Sequence, residues 1–501
     1  MKKTASRSNL SPFQDSTQPI TTHPGFASPL LAVVLLLLAV CVVAACRREL
    51  NFDEMLSVRV GWLLFTSETQ GFHLAMPYTV ITGAAAHIID DPRVLFAALR
   101  IIGFGAFILC AFRAARYTGF SAFERDAWLS VMLTNGGFLN HIIEVRYDLP
   151  IVTIYLAAAV AIFNSAAASP MFVGLCLGLL AVHHLKGLLL ACGLFVAYLI
   201  ILSPSQPRSM TLLSSIRVAG YALLVVVSWY VLAWAFGFDE HVLGLYLQFL
   251  DVSRHAHFLD KWSSLFERMD RDSLWWTVVG ILALLGLAKT WTDRSHLLRF
   301  SLVVAPPVLF TIAHPHPWAY SVIYIVPVFS IGAVKGIQWL SERLKQTSLR
   351  MSAVCLIGVP ILLLMCTSNN IATLLQSDWH DEMEALRYAR RTLGPSDRVV
   401  DPAGFLYFAK PADPEWYTDS LVRQLVALGR WQHDMAASVI SAEYAVESYR
   451  LAWLPPDVLP VLRQNFMRRC GPILAHIPGD SDIPVQRIAC PVPKLRLINY
   501  W

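Results

Sequence analysis

The stretch ASPLLAVVLLLLAVCVVAAC, residues 27–46, runs for twenty residues without a charge, and Arg47-Arg48-Glu49 and then Asn51-Phe52-Asp53-Glu54 follow it directly. A helix rises about 1.5 Å per residue, so such a run reaches about 30 Å, the thickness of a bilayer's hydrocarbon core. It reads as a membrane span that delivers an acidic pair, Asp53 and Glu54, to the boundary with water.

Other stretches free of Asp, Glu, Lys and Arg repeat the pattern: 127–143, 149–182, 187–207, 218–238, 300–334 and 351–377. The run 149–182 is split near Ser165 to Pro170, and 300–334 at His314-Pro315-His316-Pro317, because proline cannot continue a helix. Adding Arg93 to Phe112, with its internal Arg100, and the shorter Ser273 to Ala288 gives about eleven spans. Composition agrees: the chain is 56% hydrophobic and 15% charged with a mean hydropathy of +0.52, whereas soluble chains are about 25% charged. The net charge of +5 is small for 501 residues and scattered, so nucleic acid is not the implied partner.

Lys and Arg gather on the cytoplasmic side of short loops. With Lys2, Lys3 and Arg7 inside, eleven spans place Arg113/Arg116/Arg125, Arg208/Arg217, Lys289/Arg294/Arg299 and Lys335/Arg343/Lys345/Arg350 inside too. Arg47 and Arg48 oppose this locally. Residues 1–27, rich in Ser, Thr, Gln and Pro, read as a disordered cytoplasmic leader, residues 28–372 as the transmembrane domain, and residues 373–501 as an external domain. The fold class is thus mainly α, a polytopic helical bundle with a small extracytoplasmic α/β domain. In that domain the pattern predicts helices over Asp381–Leu393, Leu421–Leu428 and Val458–Met467, with strands at Arg398–Val400, Arg450–Trp453 and Pro472–His476. Cys470 and Cys490 are its two cysteines, and an oxidising exterior predicts a disulfide between them.

Charges at a membrane boundary are expensive and point to function. Besides Asp53-Glu54, the eleven-span topology puts three more polar clusters on the external side: Glu144-Val145-Arg146-Tyr147-Asp148, His183-His184-Leu185-Lys186, and His314-Pro315-His316-Pro317-Trp318. The external segment 239–272 mixes aromatic and apolar residues with Arg254, His255, Lys261, Arg268 and Arg271 in an interfacial amphipathic pattern.

In the order, spacing and common side of these clusters the chain resembles the C-type, multispanning glycosyltransferases that use polyprenyl-phosphate sugars. That group includes the protein O-mannosyltransferases and the aminoarabinose transferases that modify lipid A. The resemblance covers roughly residues 30–335. It implies an inverting transfer of a hexosyl or pentosyl group from a polyprenyl-phosphate donor to an envelope lipid, glycan or protein, on the periplasmic side of a bacterial inner membrane. It assigns catalysis to Asp53, with Glu54 and Asp148, and contact with the donor phosphate to Arg146 and Lys186, then Arg254 and His255. A divalent metal ion stays open as a cofactor, with Asp53, His183 and His184 as the side chains that could hold it.

Duller readings stand beside each of these. Asp53 and Glu54 could simply end a helix, Glu144, Arg146 and Asp148 could tether two helix ends, and Lys186 could snorkel to the interface. The histidines lack a ligand spacing such as H-E-x-x-H and suit interfacial hydrogen bonding. Asp270-Arg271-Asp272 reads as a solvated loop. A transporter or flippase for a lipid-linked solute is the rival function, although no inverted repeat is evident.

Overall fold

The computed structural model describes residues 29–66, 77–117, 120–163, 169–202, 207–236, 258–290, 294–313, 319–347, 349–394, 396–412, 429, 434–454 and 458–477. It is mainly helical. Apolar helices α1 (Pro29–Ala45), α4 (Pro92–Tyr117), α7 (Asp148–Phe163), α8 (Pro170–His183), α9 (Leu185–Leu202) and α10 (Arg208–Ala235) are followed by α11 (Phe258–Arg271), α12 (Ser273–Thr290), α13 (Arg294–Ala313), α14 (Val322–Thr347) and α15 (Leu349–Gln376). Among the described residues, five helical stretches are long and apolar enough to cross a membrane, Pro92–Tyr117, Leu185–Leu202, Ser209–Ala235, Val322–Leu344 and Ile357–Thr392, and five shorter apolar helices accompany them. The chain is a polytopic helical membrane protein.

One expected span is not a single helix. Residues 127–143 form the end of α5 (Ala122–Leu133) and then α6 (Gly136–Ile142), with Asn135 as the new N-cap accepting from the Phe138 N–H. The break is locally satisfied: the Thr134 hydroxyl turns back to the Ser130 and Val131 carbonyls, at 2.8 and 3.0 Å. Backbone groups inside a bilayer need such partners. The same rule operates at Pro306-Pro307 within α13. Pro307 has no N–H to give the Val303 carbonyl four residues back, and the Tyr155 hydroxyl donates to that carbonyl instead.

The bundle core runs from Leu30 and Leu37 on α1 through Trp128, Phe138 and Tyr155 to Trp275 on α12 and Tyr324 on α14. A second core joins one end of the helix bundle to the C-terminal part of the chain. There Phe52 and Met55 of α2 (Phe52–Leu64), Ala86 of α3 (Pro77–Ile88) and Phe96 of α4 pack with Met383 and Leu386 of α16 (His380–Thr392) and with Phe405 to Tyr407. Helices α2 and α3 meet at Gly61 and Gly83, where a Cβ on either would strike the other helix's backbone.

Beyond α16 the chain builds a five-stranded sheet in the order β2-β1-β3-β5-β4, from β1 (Arg398–Val400), β2 (Lys410–Pro411), β3 (Tyr444–Val446), β4 (Phe466–Cys470) and β5 (Ile473–His476). β1 is parallel to β2 and β3, while β3/β5 and β5/β4 are antiparallel. Helices α17 (Met435–Ile440) and α18 (Val458–Asn465) pack beside it. The α16 helix and strands β1 and β5 match expectation closely. Residues 449–453 are a 3₁₀ turn rather than a strand, because Leu451 and Leu454 enter the core at a spacing of three. The expected helix through Met467 stops at Asn465, where Phe466 starts a hairpin turned by Gly471 at φ 55°. Cys470 is disulfide-bonded; its expected partner Cys490, the expected helix 421–428 and the leader 1–27 lie outside the described residues.

Candidate active site

The site begins with the way α2 starts. Asn51 caps it, accepting from the Asp53 N–H, while the Glu54 side chain reaches back to the Asn51 N–H in a reciprocal capping box. Glu54 does more than cap. Its two oxygens receive Nε and Nη2 of Arg100 at 2.7 and 2.6 Å, and Oε1 also accepts the Val145 N–H at 2.9 Å. Arg100, the charge inside the second expected span, is 1% exposed and also donates to the carbonyls of Ala45, Arg48 and Glu49. Those carbonyls lie at and just past the C-terminal end of α1, where a cation complements the helix dipole. A buried bidentate pair thus locks the turn between α1 and α2.

Asp53 faces elsewhere. Its carboxylate lies 2.8 Å from Arg146 Nη1 with a quarter (25%) of its side chain exposed. Arg146 sits in the loop between α6 and α7 with only 2% of its side chain exposed, and also meets Glu144 at 3.2 Å and Asp148 at 3.4 Å. One guanidinium therefore organises three carboxylates, and its face lies 3.9 Å from the centre of the Tyr320 ring. Of the three, Asp53 alone reaches solvent, since Glu144 and Asp148 have fully buried side chains.

Lys186, carried by the first turn of α9, meets the Asp148 oxygen that Arg146 leaves free. Its ammonium donates to Asp148 at 2.9 Å, to the Tyr320 hydroxyl at 3.2 Å and to the Tyr147 hydroxyl at 3.5 Å, and Tyr324 donates to the same Asp148 oxygen. All three ammonium protons have protein acceptors. His184 breaks the path between α8 and α9, stacks on Tyr147 with ring centres 4.7 Å apart, and accepts the Lys186 N–H. His183 turns inward, its Nδ1 bonded to the Leu179 carbonyl.

A further layer surrounds this centre. Glu144 receives Arg48 at 2.7 Å, His141 at 2.9 Å and the Asn51 amide at 3.1 Å. Burial by itself would raise the Glu144 carboxyl, but His141, Arg48 and Arg146 hold it well below the usual carboxylate range. Arg268 interacts with the charges of His141, Glu144 and Arg48. Its Nε and Nη2 are buried without a hydrogen-bond acceptor among the described residues, the Asp272 carboxylate being 3.4 Å from Nη2.

Asp272 corrects the reading of residues 270–272 as a solvated loop. It is 3% exposed, accepts the Gly137 N–H at 2.8 Å and takes the Asn370 amide at 3.3 Å. Tyr147, Tyr320, Tyr324, His141 and Arg268 were not singled out from the sequence as site residues. Tyr320 stands three residues beyond the His314 to Pro317 cluster, a proximity that could have flagged it.

The structure brings Asp53, Arg146, Asp148 and Lys186 into one network and places Glu54 in a neighbouring one. Arg254, His255, His314 and His316 lie outside the described residues. Asp53, His183 and His184 do not assemble a ligand set: no cluster of three His, Cys, Asp or Glu side chains suited to a metal ion occurs among the described residues.

No family model and no curated protein matches the sequence. The fold has solved relatives. ArnT from Cupriavidus metallidurans matches in its apo state with a TM-score of 0.55 and 13% identity, over 89% of this chain and 98% of that one. The structure of the same protein bound to undecaprenyl phosphate matches with the same values, 0.55, 13%, 89% and 98%. The chain therefore shares its fold, along nearly its whole length, with ArnT.

Proposed function

We propose that this chain is an inverting membrane glycosyltransferase that moves a sugar from a polyprenyl-phosphate donor to an envelope lipid, glycan or protein at the periplasmic face of the inner membrane. In this reading residues 28–372 are the transferase domain and 373–501 an external domain. The observation that carries it is the pairing of a part-exposed carboxylate, Asp53, with a buried guanidinium, Arg146, 2.8 Å away, where the apolar helices end. The undecaprenyl phosphate bound by the ArnT of like fold supports a polyprenyl-phosphate donor, whose tail can stay in the bilayer while its head reaches this boundary.

The chemistry follows from the charges. Asp53 takes the proton of an acceptor hydroxyl as that oxygen attacks the anomeric carbon. The bond from that carbon to the phosphate oxygen breaks on the far side, which inverts the configuration. The phosphate gains charge as it leaves, so cations aimed at it stabilise the transition state more than the ground state. Arg146 Nε and Arg268 Nε and Nη2 have donors to give, since none has an acceptor among the described residues. Lys186 has its protons engaged and serves chiefly to hold Asp148, Tyr147 and Tyr320 in place. Glu54 fixes α2 and does not reach the reacting atoms.

The test is transfer by the purified protein from a polyprenyl-phosphate sugar, comparing wild type with Asp53→Asn. Turnover should fall by about 10² to 10⁴, the range for loss of a general base, while polyprenyl phosphate still binds. Loss of binding with turnover per bound donor unchanged would reassign Asp53 to donor recognition.

A further inference from the structure

A cleft of about 430 Å³ lies where the outer ends of α1 and α4 meet the start of α16. Cys46 and Arg47 line it just beyond α1, Arg93, Val94 and Ala97 from the first turns of α4, and Trp379 and His380 from the start of α16. Because α4 is long and apolar enough to span a membrane, its first turn sits at the headgroup level.

The polar side of the cleft has donors without acceptors. Arg93 gives Nη2 to His380 Nδ1 at 2.7 Å and to Glu384 at 3.4 Å, but its Nε is buried with no acceptor among the described residues. A buried N–H left without a partner is destabilising, and an anion would supply the missing acceptor. Since Arg93 donates to Nδ1, the His380 proton sits on Nε2, a second donor. The exposed Arg47 side chain makes no hydrogen bond or ion pair to any described residue; Arg48 beside it is fully explained by Glu144. Two arginines directly after an outward-running span run against the positive-inside pattern, and pairing accounts for only one of them. Asp378 is the acid in the lining.

Below these cations the cleft is lined by Val94 and Ala97. Ile101, just outside it, continues the same face of α4 at helical spacing, and Val94 and Ile101 are 56% and 38% exposed. Cations above an apolar track, at the end of a membrane span, match one ligand shape: a phosphate with an acyl chain below it. We propose that this cleft is a binding site for an anionic phospholipid, its phosphate on Arg47, Arg93 and His380 and a chain along Val94, Ala97 and Ile101. The ligand braces the junction of α1, α4 and α16.

The site is tested on the full chain in phosphatidylcholine nanodiscs, with neither donor nor acceptor, so the result is independent of transfer activity. Dioleoylphosphatidylglycerol is titrated in, and bound lipid is counted by native mass spectrometry while melting is followed in parallel. Wild type should retain phosphatidylglycerol and melt at higher temperature with it. Arg47→Ala should bind it about tenfold more weakly, and Arg47→Glu more weakly still. Both variants should melt like wild type in phosphatidylcholine alone, because the Arg47 side chain holds no partner among the described residues. Arg47→Glu retaining phosphatidylglycerol as wild type does would overturn the site. Inorganic phosphate that stabilises the protein as strongly as the lipid would overturn it too, because the apolar track would then play no part.

Discussion

Asp53 and Glu54 are adjacent on the first turn of α2 and belong to different machinery: Asp53 meets Arg146 at 2.8 Å and is 25% exposed, while Glu54 meets Arg100 at 2.6 Å with no exposure at all. The helix itself causes this, since successive side chains point about 100° apart. One carboxylate turns towards solvent beside Arg146, and the other turns into the junction of α1, α2 and α4.

Glu54→Gln and Asp53→Asn should therefore fail differently. Removing the Glu54 charge leaves Arg100 buried and uncompensated, a loss of about 3–5 kcal/mol. The Glu54→Gln protein should show low recovery of folded material by fluorescence-detected size exclusion. Asp53→Asn should be recovered like wild type, because Arg146 keeps Glu144 and Asp148.

Arg268 and Lys186 offer the same contrast among the cations. Arg268→Ala leaves Asp272 with the Gly137 N–H and the Asn370 amide, so folding should survive. Affinity for polyprenyl phosphate should drop about tenfold with the loss of charge-assisted hydrogen bonds. Lys186→Met strips Asp148, Tyr147 and Tyr320 of a shared donor, and its first effect should be a lower melting temperature. Equal affinity for the phosphate in wild type and Arg268→Ala would remove Arg268 from the donor site.

Much of this site was legible because charges are rare at the ends of apolar runs. Asp53, Arg146, Asp148 and Lys186 stand out in the sequence, and they meet in space. What separates Asp53 from Glu54 was not legible, since it depends on Arg100, 46 residues beyond Glu54. Nor was the burial of Asp272, which rests on Asn370 nearly a hundred residues later and on a backbone N–H of α6. The break in the third span did leave a signal. Asn135-Gly136-Gly137 is a turn sequence, and a count of missing charges passes over it.

Glu382 should make stability depend on pH. It lies on the charged helix α16, past the apolar part of the Ile357–Thr392 stretch, and accepts the Leu50 N–H at 2.7 Å just before α2 begins. Burial pushes its carboxyl up to about 8; the Leu50 N–H and Arg100 work against this, and Glu49 and Glu54 add to it. In the unfolded chain a glutamate titrates near about 4.3. Between these values the folded state holds a proton that the unfolded state has released, so stability should fall as pH rises through the window and level off above about 8. Glu382→Gln keeps an acceptor for Leu50 and cannot ionise. Its melting temperature should match wild type near pH 5 and exceed it near pH 8.5, and a constant difference across that range would contradict the assignment.

Mass spectrometry of envelope glycans and glycolipids bears most directly on the central claim, that Asp53 drives sugar transfer at the outer membrane boundary. Cells lacking the protein, cells restored with wild type and cells restored with Asp53→Asn are compared. The expected result is one envelope species short by a single sugar in the deletion and in Asp53→Asn cells, with wild type restoring it. An envelope unchanged in all three, or a sugar restored fully by Asp53→Asn, would contradict it.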